Sequence, residues 1–109
     1  MFRVRDRLLP GTISQVSSKV STTVTIANKL GLHARPAMMF VETASKYDSA
    51  ISVRRTDSEE SVDGKSIMQM MMLAATKGTE IEICADGSDG QNAIDELVKL
   101  VESDFLEED

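Results

Sequence analysis

Several residue types that build common functional sites are scarce in this chain of 109 residues, which contains one cysteine, one histidine, one tyrosine and no tryptophan. The lone Cys84 cannot form an internal disulfide, and one cysteine with one histidine cannot complete a structural zinc site. Membrane insertion is not expected, because no apolar run approaches the ~20 residues that span a bilayer. We therefore expect no redox function and no structural metal site, and a cytoplasmic location, since no secretory leader is recognisable.

The charge is unevenly distributed along the chain. The net charge is −6, from 12 basic and 18 acidic residues. Residues 1–22 hold four basic side chains and one acidic side chain, which leaves −9 for residues 23–109. Binding to nucleic acid requires a basic stripe and stacking aromatic rings. Nucleic-acid binding is therefore not expected, and partners with basic or apolar faces are favoured.

The first 22 residues differ in character from the rest. They are rich in Ser, Thr and Arg, contain the turn-forming pair Pro10-Gly11 and show no sustained hydrophobic period. This composition predicts a flexible extension. We expect one folded domain over residues 23–105 and a frayed acidic tail over residues 106–109.

Hydrophobic periodicity divides the domain into strands and amphipathic helices. The predicted strands are residues 23–28, 50–55, 59–63 and 79–85, and the predicted helices are residues 36–47, 66–77 and 88–105. Ser66 with Gln69, and Ser88 with Gln91, fit capping boxes at the starts of the second and third helices. Pro36 is placed at the first position of the first helix, and Lys77-Gly78 at the end of the second.

The predicted order is β-α-β-β-α-β-α. Strands that alternate between apolar and polar residues indicate an antiparallel sheet with one solvated face, and the amphipathic helices must cover the other face. The sequence therefore predicts an α+β fold, a two-layer open-faced β-sandwich in which three helices cover one face of a four-stranded antiparallel sheet.

The only histidine lies in "GLHARPA", residues 31–37, directly before the first predicted helix. A helix start presents unpaired N–H groups and the positive end of the dipole, which together favour an anion. Neutral His33 there presents a nucleophilic nitrogen, Arg35 adds a charged donor and Gly31 permits a tight turn. These elements fit acceptance of a phosphoryl group. Taken alone, however, a lone histidine is more often explained by helix capping or a backbone hydrogen bond.

Two motifs in this order resemble one known family. "GLHARPA", followed further along by "GKSIMQMMMLAATKGTEI", is similar to HPr, the phosphocarrier protein of the bacterial phosphoenolpyruvate-dependent phosphotransferase system. The resemblance covers residues 23–103. It implies a monomeric relay protein without a cofactor, which takes a phosphoryl group from phosphorylated enzyme I and passes it to an enzyme IIA domain during sugar uptake.

The resemblance also implies roles for individual residues. His33 matches the histidine that carries the phosphoryl group on Nδ1, and Arg35 matches the arginine beside it. The backbone N–H groups of Ala34 and Arg35 would contact the phosphoryl oxygens. Ser66 matches the serine that an ATP-dependent HPr kinase/phosphorylase modifies in many bacteria. The residues that match the partner-docking side of the second helix are Ile67, Met68, Met71 and Met72.

Each of these roles has a structural alternative. N-capping alone explains Ser66, and core packing explains methionines on a helix. Cys84, on the polar side of its strand, is interpreted as an incidental surface thiol.

Two further hypotheses concern the whole protein. One is a nitrogen-related paralogue that uses the same chemistry for regulation. The other is a non-catalytic interaction domain that is controlled through Ser66 and in which His33 is idle.

Overall fold

The computed structural model describes residues 18–106. Most of the predicted extension (residues 1–17) and the end of the predicted tail (residues 107–109) lie outside the described residues. Within residues 18–106 the chain forms four strands and three α-helices. They are β1 (Lys19–Thr25), α1 (Ala34–Ala44), β2 (Ala50–Arg55), β3 (Ser61–Asp63), α2 (Ile67–Met72), β4 (Glu80–Asp86) and α3 (Gly90–Glu102), followed by a short 3-10 turn (Asp104–Leu106). The predicted element order is confirmed.

The four strands form one antiparallel sheet in the order β1-β4-β2-β3. Along β4 the side chains of Ile81, Ile83 and Ala85 are buried, while the alternate residues are exposed or half-buried. The helices cover the buried face, and Phe40 of α1 and Leu97 of α3 lie fully buried against it. The predicted two-layer α+β sandwich is therefore confirmed.

The opposite face of the sheet is polar. Cys84 lies in register between Ser21 of β1 and Ser52 of β2, and is half-exposed. Next to it, Arg54 Nε donates to Glu82 Oε1 across the strands at 2.9 Å. A cross-strand pair of opposite charge adds modestly to the stability of the sheet.

Strand β1 starts earlier than predicted. It begins at Lys19, which is opposite Asp86 of β4, so the assignment of residues 19–22 to the flexible extension was wrong. Val20 is the one apolar residue among residues 19–22, and this part of the sequence therefore shows no hydrophobic period. The backbone ladder with β4 is what orders these residues.

Helix α1 is shifted toward the N-terminus relative to the prediction. It begins at Ala34, so that Pro36 is its third residue and not its first. The third position also lacks an intrahelical N–H bond, and proline is therefore tolerated there. Tyr47 lies beyond the helix, where its hydroxyl donates to Glu96 of α3.

Helix α2 is much shorter than predicted. It ends at Met72 with Leu73 as its C-cap, and not at Lys77-Gly78. The backbone of Ala74 has a φ of +56°, which cannot continue a right-handed helix. The next residue, Ala75, uses its carbonyl to accept the N–H of Leu32 at 2.9 Å. A contact with a distant segment thus replaces the last helical turns.

The start of α3 also differs from the prediction. Its N-cap is Asp89 and not Ser88. The Asp89 carboxylate accepts the N–H of Asp48 at 2.8 Å and that of Ser49 at 3.0 Å, together with the Ser49 hydroxyl. This carboxylate therefore ties the start of α3 to the segment that leads into β2.

Two methionines of α2 provide a matched test of the packing. Met70 is 0% exposed and Met68 is 76% exposed. We expect Met70→Ala to lower the free energy of unfolding by about 2–5 kcal/mol, because it leaves a cavity in the core. Met68→Ala should change it by less than about 0.5 kcal/mol. Urea denaturation followed by circular dichroism measures both, and similar losses in the two variants would contradict the packing described.

The hydrogen bonds to Asp89 predict a pH dependence of stability. The Ser49 hydroxyl, followed by the N–H of Asp48, lowers the pKa of the Asp89 carboxyl below its ordinary value. A lowered pKa contributes stability above the pKa of the unfolded chain, about 3.9, and this contribution is lost as the pH falls through the folded pKa. We expect Asp89→Asn to lower the urea midpoint at pH 7 and to narrow the gap between variant and wild type near pH 2. Asp86→Asn, at an exposed position, is the control; an Asp89→Asn midpoint equal to wild type at pH 7 would refute the assignment.

Candidate functional site

His33 lies at the mouth of α1, as the sequence predicted. It is the N-cap residue, with φ −81° and ψ −170°, and its carbonyl accepts the N–H of Ala37 at 3.0 Å, the bond that opens the helix. The imidazole is half-exposed and does not make a side-chain capping bond to α1. Helix capping, the common structural use of a residue at this position, therefore does not account for the ring.

The first turn of α1 offers two backbone donors beside the histidine. Ala34 and Arg35 occupy the first two positions, both are exposed, and N–H groups at these positions have no intrahelical acceptor. Pro36, at the third position, is buried and has no N–H. An anion at this helix start would meet the N–H groups of Ala34 and Arg35 and the positive end of the helix dipole.

A tight turn before His33 positions it against the segment that follows α2. Gly31 has a φ of +72°, and a Cβ at this residue would lie 2.5 Å from the carbonyl oxygen of Ala75 and 2.8 Å from Cα of Thr76. Only glycine fits this approach without displacing backbone atoms. The bond from Leu32 N–H to the Ala75 carbonyl joins the same two segments. The sequence predicted the tight turn but not its contact with Ala75 and Thr76.

Arg55 supports this neighbouring segment and was not anticipated from the sequence. Its Nη1 donates to the carbonyl of Ala74 at 3.2 Å, while Nε and Nη2 donate to the two oxygens of Asp57, each at 3.0 Å. The hydrogen bonds between the two side chains raise the pKa of Arg55 and lower that of Asp57. A surface charge of this kind carries no motif, so no sequence signal could have identified it.

Ser66 lies at the start of α2. Its Oγ accepts the N–H of Gln69 at 3.2 Å, which confirms the predicted N-cap. The reciprocal bond of a capping box is absent here: Gln69 Oε1 accepts the N–H of Asp63 at 2.9 Å, and the N–H of Ser66 donates to the Asp63 carbonyl. The cap thus explains the serine structurally and leaves its side chain half-exposed.

Helix α2 leaves most of its apolar side chains exposed. Met70 alone of its six residues is buried. We call the exposed group the apolar surface, and it consists of Ile67, Met68, Met71 and Met72. Leu30, in the turn before His33, and Met38, in α1, are also exposed, which the sequence did not predict. Both lie close to the histidine in the chain, which is the signal that could have indicated them.

Neither a metal-binding cluster nor a membrane-spanning helix occurs in residues 18–106. Residues 18–106 contain no group of three or more His, Cys, Asp or Glu side chains that could hold a metal ion. None of the helices described is long and apolar enough to span a bilayer.

Comparison with known proteins identifies the family. Residues 20–103 match the model of the PTS-HPr family, described as "PTS HPr component phosphorylation site". The chain belongs to the HPr family. The phosphocarrier protein HPr of Neisseria meningitidis is 49% identical over 84 residues, which cover 77% of this chain and 92% of the relative. The phosphocarrier protein NPr of Proteus mirabilis is 38% identical over 85 residues, or 78% of this chain and 93% of the relative.

A solved HPr structure agrees with these matches. The crystal structure of HPr-C-His from Thermoanaerobacter tengcongensis aligns with a TM-score of 0.76 at 46% identity, covering 82% of this chain and 98% of that one. The chain is therefore a phosphocarrier-family protein of the phosphotransferase system, and by family it is a carrier and not a catalytic enzyme.

The turn before His33 can be tested with two glycines of the HPr-type domain. Gly31 and Gly78 both have positive φ, but a Cβ at Gly78 would meet nothing within 4 Å. Gly78→Ala should therefore cost only the strain of left-handed backbone, about 1–2 kcal/mol. Gly31→Ala should cost about 1–3 kcal/mol more, because the new methyl group overlaps the Ala75 carbonyl. Urea denaturation of both variants measures the difference, and equal losses would rule out the close contact.

Proposed function

We propose that this protein carries a phosphoryl group on Nδ1 of His33, accepting it from phosphorylated enzyme I and donating it to enzyme IIA domains in sugar uptake. The observation that supports this most is the half-exposed imidazole at the N-cap of α1, which does not cap the helix and adjoins the exposed donors of Ala34 and Arg35. In this role the protein is a phosphorylated intermediate of a relay. It needs no cofactor of its own.

The proposed transfer is an in-line displacement between two histidines. The neutral Nδ1 of His33 attacks phosphorus, the N–P bond to the donor histidine breaks, and the leaving imidazole keeps the electron pair. Because the transition state is loose and carries charge on its equatorial oxygens, positioning and electrostatics supply most of the catalysis. The N–H groups of Ala34 and Arg35 and the Arg35 guanidinium would receive that charge. Transfer to enzyme IIA is the same kind of step with the roles exchanged: the enzyme IIA histidine attacks phosphorus, and the N–P bond to His33 breaks.

The apolar surface of α2 is the proposed docking face for both partners. Its four side chains, Ile67, Met68, Met71 and Met72, are exposed, and methionine adapts its shape to different partners. Helices α1 and α2 pack against each other, so docking on α2 presents the partner to the same side of the molecule as α1. The surface would thus align the two histidines.

Ser66 is the proposed regulatory site for an HPr kinase/phosphorylase. Its hydroxyl is half-exposed, and a phosphate there keeps an acceptor for the Gln69 N–H at a helix start that tolerates negative charge. The added charge would lie next to Ile67 of the docking face and repel acidic groups of a partner. Folding should therefore survive the modification while docking weakens.

The sugar branch is favoured over the nitrogen-related branch. The Neisseria meningitidis HPr is 49% identical to this chain, and the Proteus mirabilis NPr 38%. We further propose a cytoplasmic monomer whose carrier domain is preceded by an N-terminal extension and ends in an acidic tail. One relative, HPr from Thermoanaerobacter tengcongensis, has a structure described as a dimer, which makes the oligomeric state a separate measurement.

Phosphorylation by phosphoenolpyruvate and enzyme I tests the proposal. We expect acid-labile phosphate on the wild type and none on His33→Ala, because the chain has no other histidine. Arg35→Ala should slow labelling on the order of 10²-fold, the usual effect of losing one donor to the transition-state charge. Lys99→Ala, which removes an exposed cation from α3, serves as the charge-matched control. Undiminished labelling of His33→Ala would overturn the proposal.

A second labelling experiment, with ATP and the kinase, tests Ser66. It should place acid-stable phosphate on the wild type but not on Ser66→Ala.

A further inference from the structure

The side chain of Asn28 is the most buried polar group near the histidine. It is 2% exposed and lies in the segment that joins β1 to the turn before His33. The side-chain Nδ2 of Asn28 donates to the carbonyl oxygen of Gly31 at 2.8 Å, and the backbone carbonyl of Asn28 accepts the Gly31 N–H at 3.2 Å. Asn28 therefore closes this turn with both its side chain and its backbone.

The carbonyl of Gly31 connects this amide to the histidine. The same oxygen that accepts Asn28 Nδ2 also accepts the backbone N–H of His33, at 2.9 Å. Two hydrogen bonds that share one acceptor thus lead from the buried amide to the residue proposed to carry the phosphoryl group. Since the His33 backbone is also the N-cap of α1, its position determines where the imidazole meets the first helical turn.

The oxygen of the Asn28 amide, unlike its nitrogen, makes no hydrogen bond within the described residues. Asn28 Oδ1 is buried and has no hydrogen-bond partner in residues 18–106. The orientation of the amide follows from chemistry, because the Gly31 carbonyl can only accept and the NH₂ group must therefore face it. A buried acceptor without a partner destabilises the fold. For stability alone, an apolar side chain of the same shape would serve about as well.

We propose that Asn28 is a positioning residue for phosphoryl transfer: its buried amide holds the Gly31 carbonyl, which in turn holds the backbone of His33 and directs the imidazole toward the first turn of α1. This inference rests on the function proposed above. Asn28 does not touch the transferred group. Its effect is confined to the geometry of His33, which accepts the phosphoryl group.

A second support of the turn makes the effect of Asn28 separable from docking. Leu32 N–H bonds to the Ala75 carbonyl, and this bond joins the turn to the segment after α2 without using Asn28. Loss of the Asn28 amide should therefore leave α2 and its apolar surface in place. The consequence should appear in kcat and not in KM.

Paired substitutions at Asn28 and Asn92 test this positioning. Asn28→Leu removes the donor and the unpaired acceptor, and Asn28→Asp turns a carboxylate oxygen toward the Gly31 carbonyl. Asn92→Leu and Asn92→Asp make the same changes at an exposed position of α3. The readouts are the urea midpoint, hydrogen exchange of the His33 amide, the NMR shifts of the single imidazole, and kcat and KM for transfer from phosphorylated enzyme I.

The expected result is a lower kcat with an intact docking step. For both Asn28 variants we expect kcat to fall on the order of tenfold, since small misplacements of reacting groups have effects of this size or larger. KM should stay within about twofold, because the energy of docking is carried by other residues. The His33 amide should exchange faster and the imidazole shifts should move. The Asn92 variants should match wild type in kcat, KM, exchange of the His33 amide and the imidazole shifts.

Several outcomes would overturn the inference. Wild-type kcat and wild-type exchange of the His33 amide in folded Asn28→Leu would do so. Failure of both Asn28 variants to fold would assign the residue to the core and would equally refute a positioning role. Failure of the wild type to accept phosphate from enzyme I would instead refute the proposed function, and the exchange and NMR measurements would still decide whether Asn28 holds His33.

Discussion

The close approach of Gly31 to Ala75 is the contact on which the site depends. It joins the turn before the histidine to the segment after α2, two parts of the chain that are far apart in sequence, at a distance that leaves no room for a side chain on Gly31. The hydrogen bond from Leu32 N–H to the Ala75 carbonyl fixes how the two segments are oriented in this contact. Because one segment leads into α1 and the other leaves α2, fixing one against the other also fixes the first turn of α1 relative to α2. The donors near His33 and the apolar surface are thereby held in one arrangement.

The short length of α2 follows from the same contact. If the helix continued to Lys77, the Ala75 carbonyl would point along the helix axis and could not meet Leu32. The left-handed Ala74, whose carbonyl accepts from Arg55, turns the chain out of the helix at the required point. A helix of six residues is too short to be stable by itself and depends on the burial of Met70 and on the Ser66 cap. The remaining apolar residues stay exposed because the helix has only one side against the core.

The proposed carrier role fits a site made of few donors on an open surface. Two backbone N–H groups and one arginine give local attraction for a phosphoryl group in a chain whose overall charge is −6. Deep burial or a larger cluster of cations would hold the group more tightly, and tighter binding of the ground state would slow its release. The half-exposed imidazole is accessible to a donor and to an acceptor in turn. Positioning, including that assigned to Asn28, then matters more than binding strength.

The sequence by itself determined the class of fold, the buried stripes and the place of the histidine. The apolar residues of β4 and α3 alternate or repeat with the period of their elements, and "GLHARPA" marks a helix start through local chemistry alone. Tertiary structure decided the first residues of β1, the end of α2, the Asp89 cap of α3 and the supports from Asn28 and Arg55. Apart from the Asn28 bond, which joins residues three apart, each of these depends on a hydrogen bond to a distant residue brought close by folding, and polar residues of this kind leave no periodic signal. The stripe of a helix is a local property of the chain, whereas the partner of a polar group is known only once distant segments meet.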